Sequence, residues 1–421
     1  MTDHGVVEQG WMRRFLPIWG GQLFSLLGSG LVQFALVWYL TQKTGSAVVL
    51  TTATLVALLP EVFILPFAGA LVDRWNRRWV MVIADTAIAL ATLGLALLFF
   101  FEAVQIWHIY VALFLRAIGG IFHWPAMQAS TSLMVPERHL ARIAGLNQGL
   151  RGALNIVAPP LGALLMTVLP IYGVVAIDVV TAMLAVVPLL FIAVPQPKVV
   201  SSEPVTPRAV WADVRFGFQY LAKWKGAFYL IGLATLLNFV LSPSGTLMPL
   251  LVTQYFKGGV WHLSLIESAM GIGIVVGGVI MGVWGGFKKK ILTTLMGMAG
   301  LGVGVLIAGL VPSSMFGLAV VGMAITGIMS PVTNAPIMAL FQSRIPAEMQ
   351  GRVFSTVGSL AAAMMPLSML VAAPVAELLG VRAWFLLGGG ICILIGLAGF
   401  AVPDIVNLEA QQDPLAEAAS A

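Results

Sequence analysis

Ionisable side chains inside long apolar stretches are the most informative residues of this sequence, because a charge there is costly and usually functional. A carboxylate or an imidazole in such a place can bind and release a proton and so couple a proton gradient to other work. Alternatively, an acid stays ionised and joins two segments through an arginine. Glu267, close to the end of its stretch that faces outward, is a candidate gate or an acid that reaches the membrane surface. The proton-coupling candidates are Glu61, Asp85, Arg116, His123, Arg151 and Asp178.

Position along each stretch suggests which of these residues meet. A helix rises about 1.5 Å per residue, which places Arg116 at a depth similar to that of Asp178, and Glu61 at a depth similar to that of Arg151. We therefore expect the pairs Arg116–Asp178 and Glu61–Arg151. Asp85 lies on an otherwise almost wholly apolar stretch, which we expect to face lipid.

Uncharged polar residues recur at helical spacing in four of the apolar stretches. In the first stretch, Gln22, Ser29 and Gln33 fall on one helical face. Similar polar stripes occur in the fourth, seventh and tenth stretches. They predict a shared water-filled cavity, although such residues can also form hydrogen bonds between helices. The candidate cavity residues are Gln22, Ser29, Gln33, His123, Trp124, Asn238 and Asn334.

The composition shows which elements must position these residues. Of the 421 residues, 59% are hydrophobic and 9% are charged, whereas about 25% of a soluble protein is charged. So few charges cannot cover a water-exposed surface, and lipid must be the solvent for most of the chain. Apolar stretches long enough to span a bilayer occur at 15–41, 47–72, 79–101, 106–132, 143–167, 171–194, 226–255, 263–287, 291–311, 314–341, 353–378 and 382–403.

Basic residues alternate between the loops that connect these stretches. The N-terminus and the even-numbered loops hold 17 of the 22 lysines and arginines, the odd-numbered loops hold three, and Arg116 and Arg151 lie inside stretches. By the positive-inside rule, this split places both termini in the cytoplasm. It also explains the net charge of +5 without a nucleic-acid partner. The single cysteine, Cys392, cannot form an intramolecular disulfide or a cysteine metal site, and we expect no metal and no cofactor.

The two halves of the sequence are similar to each other. "VPERHLARI" matches "IPAEMQGRV" at a spacing of 210 residues. A repeat of half the chain predicts two pseudo-symmetric six-helix bundles in the same orientation. The predicted domains are residues 1–195 and 226–403, with a cytoplasmic linker at 196–225 that contains an amphipathic helix and a cytoplasmic tail at 404–421.

A charged turn, "GALVDRWNRR" at 69–78, separates the second and third stretches. By the positive-inside rule, its three arginines hold the turn in the cytoplasm, but the acid Asp73 does not contribute to this orientation. We hypothesise that Asp73 is a conformational latch that accepts hydrogen bonds from a helix N-terminus or pairs with a basic residue. The corresponding turn at Gly282 keeps its lysines and lacks the acid. The predicted latch residues are Gly69, Asp73, Arg74, Arg77 and Arg78.

Several of these motifs resemble those of a known family. The charged turn resembles the loop signature of the major facilitator superfamily, Gly-x-Leu-x-Asp-Arg-x-Gly-Arg-Arg, with Asn76 in place of the second glycine. "LFLRAIGG" resembles the fourth-helix motif of the proton antiporters in this superfamily, and Arg116 occupies the position of the motif's arginine. "YLTQKTGSAVVL", "FHWPAMQASTSLMVPE" and "ALFQSRIPAEMQGRVFS" are similar to the macrolide-efflux branch of the drug:proton antiporter-3 family. Glu61 and Arg151 do not belong to that pattern.

The resemblance implies the major facilitator fold, an all-α integral membrane protein with 12 transmembrane helices, and export of amphiphilic compounds driven by proton entry. We therefore expect a monomeric transporter in the cytoplasmic membrane that exports macrolide-like drugs by alternating access, with the bilayer and a small-molecule substrate as partners. The alternatives are a transporter of the same fold for a siderophore or lipid-like metabolite, and a non-transporting receptor or scaffold. The sequence has no His-Glu-x-x-His motif and no Walker loop, so we expect neither an enzyme nor ATP coupling.

Overall fold

The structure is a computed structural model that describes residues 10–196 and 207–410, and this described part is helical and contains no strand. Hydrocarbon offers the backbone no hydrogen-bond partner, so the apolar stretches satisfy their N–H and C=O groups within helices. The first six helices are α1 (Trp11–Thr44), α2 (Ala47–Arg74), α3 (Arg77–Phe100), α4 (Ile106–Met134), α5 (Glu137–Val168) and α6 (Ile171–Phe191).

A short helix, α7 (Pro207–Lys223), precedes the second set of long helices. The first of these, α8, continues directly into a π-helical turn at Leu251–Tyr255. A 3-10 turn at Ser313–Met315 leads into α11, and another at Leu408–Ala410 ends the described chain. The helices are α8 (Lys225–Leu250), α9 (Val260–Trp284), α10 (Lys290–Leu310), α11 (Phe316–Arg344), α12 (Ala347–Leu379), α13 (Val381–Ala401) and α14 (Pro403–Val406).

Twelve of the described helices are long and apolar enough to cross a bilayer, which confirms the twelve predicted stretches. The observed helices often begin before the apolar run that predicted them. α5 starts at Glu137 instead of residue 143, because polar residues in a first turn are helical without being apolar. An acid at that position also interacts favourably with the positive end of the helix dipole.

The chain divides into two compact units. Among the described residues, unit one comprises 10–43 and 53–196, and unit two comprises 44–52 and 207–410. This division differs from the predicted domain boundaries in two places. The first turns of α2 group with unit two, and so does α7, which the sequence places in a separate linker.

Glycines in unit one allow α1 and α6 to approach closely. A Cβ atom added at Gly28 would lie 2.0 Å from Thr181 Oγ1, and one added at Gly21 would lie 2.3 Å from the Leu184 carbonyl oxygen. Small residues at a helix interface let two backbones come together in lipid. Since α3 packs against both α4 and α6, side chains from α1, α3, α4 and α6 can meet within this unit.

Unit two is built largely on contacts among α9, α10, α11 and α13. The linker segment predicted to hold an amphipathic helix forms α7, which packs against α12. At that contact, the Arg352 guanidinium carbon lies 5.3 Å from the centre of the Phe216 ring. The helix is therefore docked on unit two through a cation–π contact.

The predicted tail is partly folded onto unit two. Ile405 and Leu408 are fully buried. The Glu409 carboxylate accepts a hydrogen bond from the backbone N–H of Ile291 at 2.9 Å, in the first turn of α10, and the Arg344 guanidinium donates to the Glu409 carbonyl oxygen. The tail thus supplies an acid to the N-terminus of α10, where the helix dipole favours a negative charge. Residues 411–421 lie outside the described part of the chain.

Candidate functional site

Asp178, on α6 in unit one, is completely buried and accepts hydrogen bonds from three other helices. Its Oδ1 accepts from Ser29 Oγ of α1 at 3.1 Å, and its Oδ2 accepts from Thr92 Oγ1 of α3 at 3.1 Å. The Arg116 guanidinium of α4 also donates to Oδ2 and forms an ion pair with it. The predicted Arg116–Asp178 pair is confirmed, and it is the centre of a network that joins four helices.

A second buried acid, Asp85 of α3, meets side chains from α1 and α4. Gln22 Nε2 donates to Asp85 Oδ2 at 2.9 Å, and His123 Nε2 lies 3.4 Å from Asp85 Oδ1. His123 Nε2 is buried and has no well-aligned hydrogen-bond partner among the described residues. A protonated imidazole would form an ion pair with the carboxylate at this distance.

The Asp85 side chain does not face lipid, although α3 does expose apolar residues such as Ile83 and Leu90. The acid is within unit one, and the residue is only 4% exposed. A single acid on an apolar helix gives no periodicity from which its direction could be determined. Its partners, Gln22 and His123, lie 63 and 38 positions away in the sequence, so the cluster becomes visible only when α1, α3 and α4 are packed.

An open cavity in unit one lies beside this second cluster, between α1, α4 and α5. Its empty volume is about 540 Å³, including the space open to solvent. Its wall is mostly aliphatic and aromatic, with a few polar side chains, as is usual for sites that bind small apolar molecules. Gln22 and His123 belong both to this wall and to the Asp85 cluster. The lining residues are Trp19, Gln22, Leu23, Leu26, His123, Trp124, Met127, Gln128, Asn147, Leu150, Arg151 and Leu154.

Arg151 stacks on an aromatic ring of the cavity wall. Its guanidinium carbon lies 3.5 Å from the centre of the Trp124 ring. Glu61 is exposed on α2, and the described residues include no ion pair between it and Arg151. The Glu61–Arg151 pair is therefore not formed, because equal depth along two helices does not ensure that their side chains face each other.

Eight of the twelve lining residues are not predicted site residues, and Trp19 and Asn147 are two of them. The Trp19 indole N–H donates to Asn147 Oδ1 at 2.7 Å and so connects α1 with α5. A signal was present, since Trp19 lies three positions before Gln22, and Asn147 four positions before Arg151. These spacings put Trp19 on the same helical face as Gln22, and Asn147 on the same face as Arg151.

Other predicted cavity residues lie elsewhere. Ser29 contacts Asp178 instead of lining the described cavity, and Gln33 is exposed on α1. In unit two, the Asn238 and Asn334 amides are exposed and donate to carbonyl oxygens one turn back on their own helices, at 2.9 and 3.0 Å. Glu267 is partly exposed on α9. The structure therefore brings Gln22, His123, Trp124 and Arg151 together in one cavity and leaves the remaining candidates outside it.

Two arginines of the charged turn contact neighbouring helices of unit one. The Arg77 guanidinium donates to the Ala129 carbonyl oxygen of α4 at 3.0 Å, and Arg78 donates to the carbonyl oxygens of Leu189 and Leu190 on α6. Leu189 and Leu190 lie in the last turn of α6, where unpaired carbonyls favour such cationic donors. The Ala129 carbonyl lies five residues before the end of α4 and also accepts from Ser132 Oγ at 2.9 Å. Asn76, which replaces the glycine of the family signature, accepts from the Trp79 N–H and so caps α3.

The latch hypothesis for this turn stays a prediction. The Asp73 side chain and the surroundings of Gly69 lie outside the part of the chain that the structure describes. Arg74 is exposed at the end of α2. The arginine contacts show that the turn does more than fix topology, since it also joins the ends of α4 and α6.

The sequence profile of the Major Facilitator Superfamily matches residues 18–361. The chain belongs to the Major Facilitator Superfamily. It is 37% identical to Macrolide efflux protein A of Streptococcus pyogenes over 401 residues, which cover 95% of this chain and 98% of that protein. It is 27% identical to the multidrug efflux pump Tap of Mycolicibacterium fortuitum over 405 residues, covering 92% and 95% of the two chains. Membership of the superfamily's macrolide-efflux branch is thus confirmed.

The superfamily's fold is confirmed independently by a solved structure. A bacterial homologue of the iron transporter ferroportin superposes with a TM-score of 0.74 and covers 93% of this chain and 99% of that one. The two sequences are only 15% identical, so this likeness shows the fold alone. The family match and the twelve candidate spans identify the chain as a multi-pass membrane protein of the superfamily.

Proposed function

We propose that this protein exports hydrophobic or amphiphilic small molecules, including macrolide-like drugs, across the cytoplasmic membrane in exchange for protons. The observation that carries the proposal is the contact between the cavity wall and a buried acid. Gln22 and His123 line the cavity, and both also face Asp85. A ligand in the cavity and a proton on the acid–imidazole pair would therefore act on the same two side chains. The names of the two efflux relatives support the same substrate class.

The Asp85–His123 pair is the proton site in this proposal. While Asp85 is ionised, it holds Gln22 by a hydrogen bond and attracts His123, so the cavity wall is fixed in its ligand-binding form. A proton on Asp85 would weaken both interactions and loosen the wall. Because coupling between two binding events is reciprocal, ligand binding would then expel the proton, as antiport requires.

Asp178 has a positioning role in the proposal. Its carboxylate is occupied by donors from Ser29, Thr92 and Arg116, and it does not line the described cavity. A proton there would break the network that joins four helices instead of acting on the ligand. We therefore assign the Arg116–Asp178 network to holding the bundle together while the transporter alternates between inward-open and outward-open forms.

The proposal is tested by transport in proteoliposomes with an imposed proton gradient. Wild-type protein should move a radiolabelled macrolide against its concentration gradient. Asp85→Asn, which like the protonated acid holds the wall less firmly, should abolish gradient-driven movement and still bind the macrolide at a saturating concentration. Glu102→Gln, which removes an exposed acid outside the helices, is the matched control and should transport normally. Undiminished gradient-driven transport by Asp85→Asn would exclude Asp85 as the proton site. Failure of the wild type with both macrolides and other amphiphiles, including siderophores and lipid-like compounds, would overturn the export function.

A further inference from the structure

The charge of the cavity in unit one indicates which ligand groups it favours. None of the residues that line it is acidic, within the described part of the chain, and one of them is Arg151. Arg151 is exposed, and no carboxylate of the described ranges forms an ion pair with it. Arg151 therefore presents a positive charge directly to the cavity, whereas the acid Asp85 lies behind the lining residues Gln22 and His123.

The stacking of Arg151 on Trp124 determines which interactions remain for a ligand. With its guanidinium carbon 3.5 Å from the ring centre, the cation covers the indole face that could otherwise attract a ligand's ammonium group. A guanidinium carries its N–H donors in its plane, so stacking leaves them available for a hydrogen-bond acceptor. The pair thus disfavours a cation and favours an oxygen acceptor.

The neighbouring Asn147 has the same preference. Its side-chain oxygen already accepts from the Trp19 indole at 2.7 Å, so its NH₂ group is the part left for a ligand. Asn147 and Arg151 are one turn apart on α5 and both line the cavity. One face of α5 therefore carries two hydrogen-bond donor groups beside an apolar wall. This arrangement can bind a bulky apolar molecule that has a hydrogen-bond acceptor at one end.

The geometry points to a ligand site in unit one that binds the carboxylate or carbonyl end of an amphiphile, with Arg151 as its specificity-determining residue. A carboxylate can accept two parallel hydrogen bonds from one guanidinium, which gives it the strongest interaction. An ester or lactone carbonyl is bound more weakly through a single acceptor oxygen. The apolar skeleton of the ligand lies against Leu23, Leu26 and Leu154. The inference rests on the proposed function in one respect, which is that the cavity is the site from which substrates are exported.

The test measures equilibrium binding of three probes that share one ring system: pyrenebutyrate, its methyl ester, and pyrenebutyl-trimethylammonium. Full-length protein in nanodiscs is dialysed against each probe, and binding to empty nanodiscs is subtracted. The carboxylate should bind about tenfold more tightly than the ammonium probe, with the ester between them. Tighter binding of the ammonium probe to the wild type would overturn the inference.

Substitutions assign the preference to the stacked arginine. Arg151→Gln should weaken carboxylate binding about tenfold and leave ammonium binding equal or stronger. Arg151→Lys keeps the charge but loses the planar donors, so it should retain only part of the carboxylate affinity. Arg142→Gln removes the same charge from α5 outside the cavity and should change nothing. Equal carboxylate affinity in Arg151→Gln and wild type would show that the stacked pair only supports the wall.

These experiments can refute the proposed ligand site and the proposed export function separately. A carboxylate preference that depends on Arg151, in a protein that moves no amphiphile under a proton gradient, would overturn the export function and keep the ligand site. Macrolide export with no charge preference among the three probes would keep the function and overturn the site.

Discussion

At the scale of single residues, Asp178 and Asp85 are both buried acids, and their partners separate their roles. Asp178 receives donors from three helices, including the Arg116 guanidinium. Asp85 has one hydrogen bond from Gln22 and an imidazole nitrogen at 3.4 Å that lacks a better partner among the described residues. The Asp178 carboxylate has its hydrogen bonds and its counter-ion in place, whereas the Asp85–His123 pair can take up a proton. The sequence makes both acids proton-coupling candidates, since an intramembrane position alone does not reveal the partners.

The Asp178 network predicts a stability effect. Arg116→Ala leaves the carboxylate buried without its counter-ion, and breaking a buried pair in this way costs about 3–5 kcal/mol. We expect a markedly lower midpoint of thermal unfolding for purified Arg116→Ala. The double variant Arg116→Gln with Asp178→Asn, which removes both charges, should recover part of the loss.

The control for this prediction is Arg14→Ala, which removes an exposed basic residue of α1 and should leave the unfolding midpoint unchanged. If Arg116→Ala unfolds at the same temperature as the wild type, the network does not hold the four helices together.

At the scale of helices, the existence of each element was predictable and its orientation was not. Apolar stretches of bilayer length identify a helix because lipid leaves no other backbone structure. The side that a helix turns towards its neighbours depends on close packing. At Gly28, for example, Thr181 lies so close that only a hydrogen atom fits in place of a side chain. Gly21 and Gly28 are seven positions apart on α1, so this contact had a sequence signal, although α6 could not be recognised as the partner.

Gly28→Ala tests that packing. A methyl group at this position would lie 2.0 Å from Thr181 Oγ1, so either the Thr181 side chain must rotate or α1 and α6 must separate, and overpacking of this kind costs about 1–3 kcal/mol. We expect a lower unfolding midpoint and weaker transport, because Ser29 would move away from Asp178. Thr181→Ala in the same chain should restore part of both.

Gly20→Ala is the matched control, since a Cβ atom at Gly20 would meet nothing within 4 Å. A stable, fully active Gly28→Ala protein would show that α1 and α6 do not need their close approach.

At the scale of the whole molecule, the half-chain repeat predicts two bundles and the chain divides into two compact units, but the repeat does not show where short segments dock. The start of α2 groups with unit two, and the tail caps α10 through Glu409. Neither segment belongs to the repeated pattern, so symmetry carries no information about it. The cytoplasmic position of both termini stays a prediction from the 17 basic residues at the N-terminus and even-numbered loops.

The central claim is that the cavity ligand and a proton compete through Asp85. The most direct test measures protons released into weakly buffered solution when a macrolide binds to the purified protein. Wild type should release protons on binding, and so should the control Glu102→Gln. At a saturating ligand concentration, Asp85→Asn should bind the ligand and release none. Proton release by Asp85→Asn equal to that of the wild type would contradict the claim.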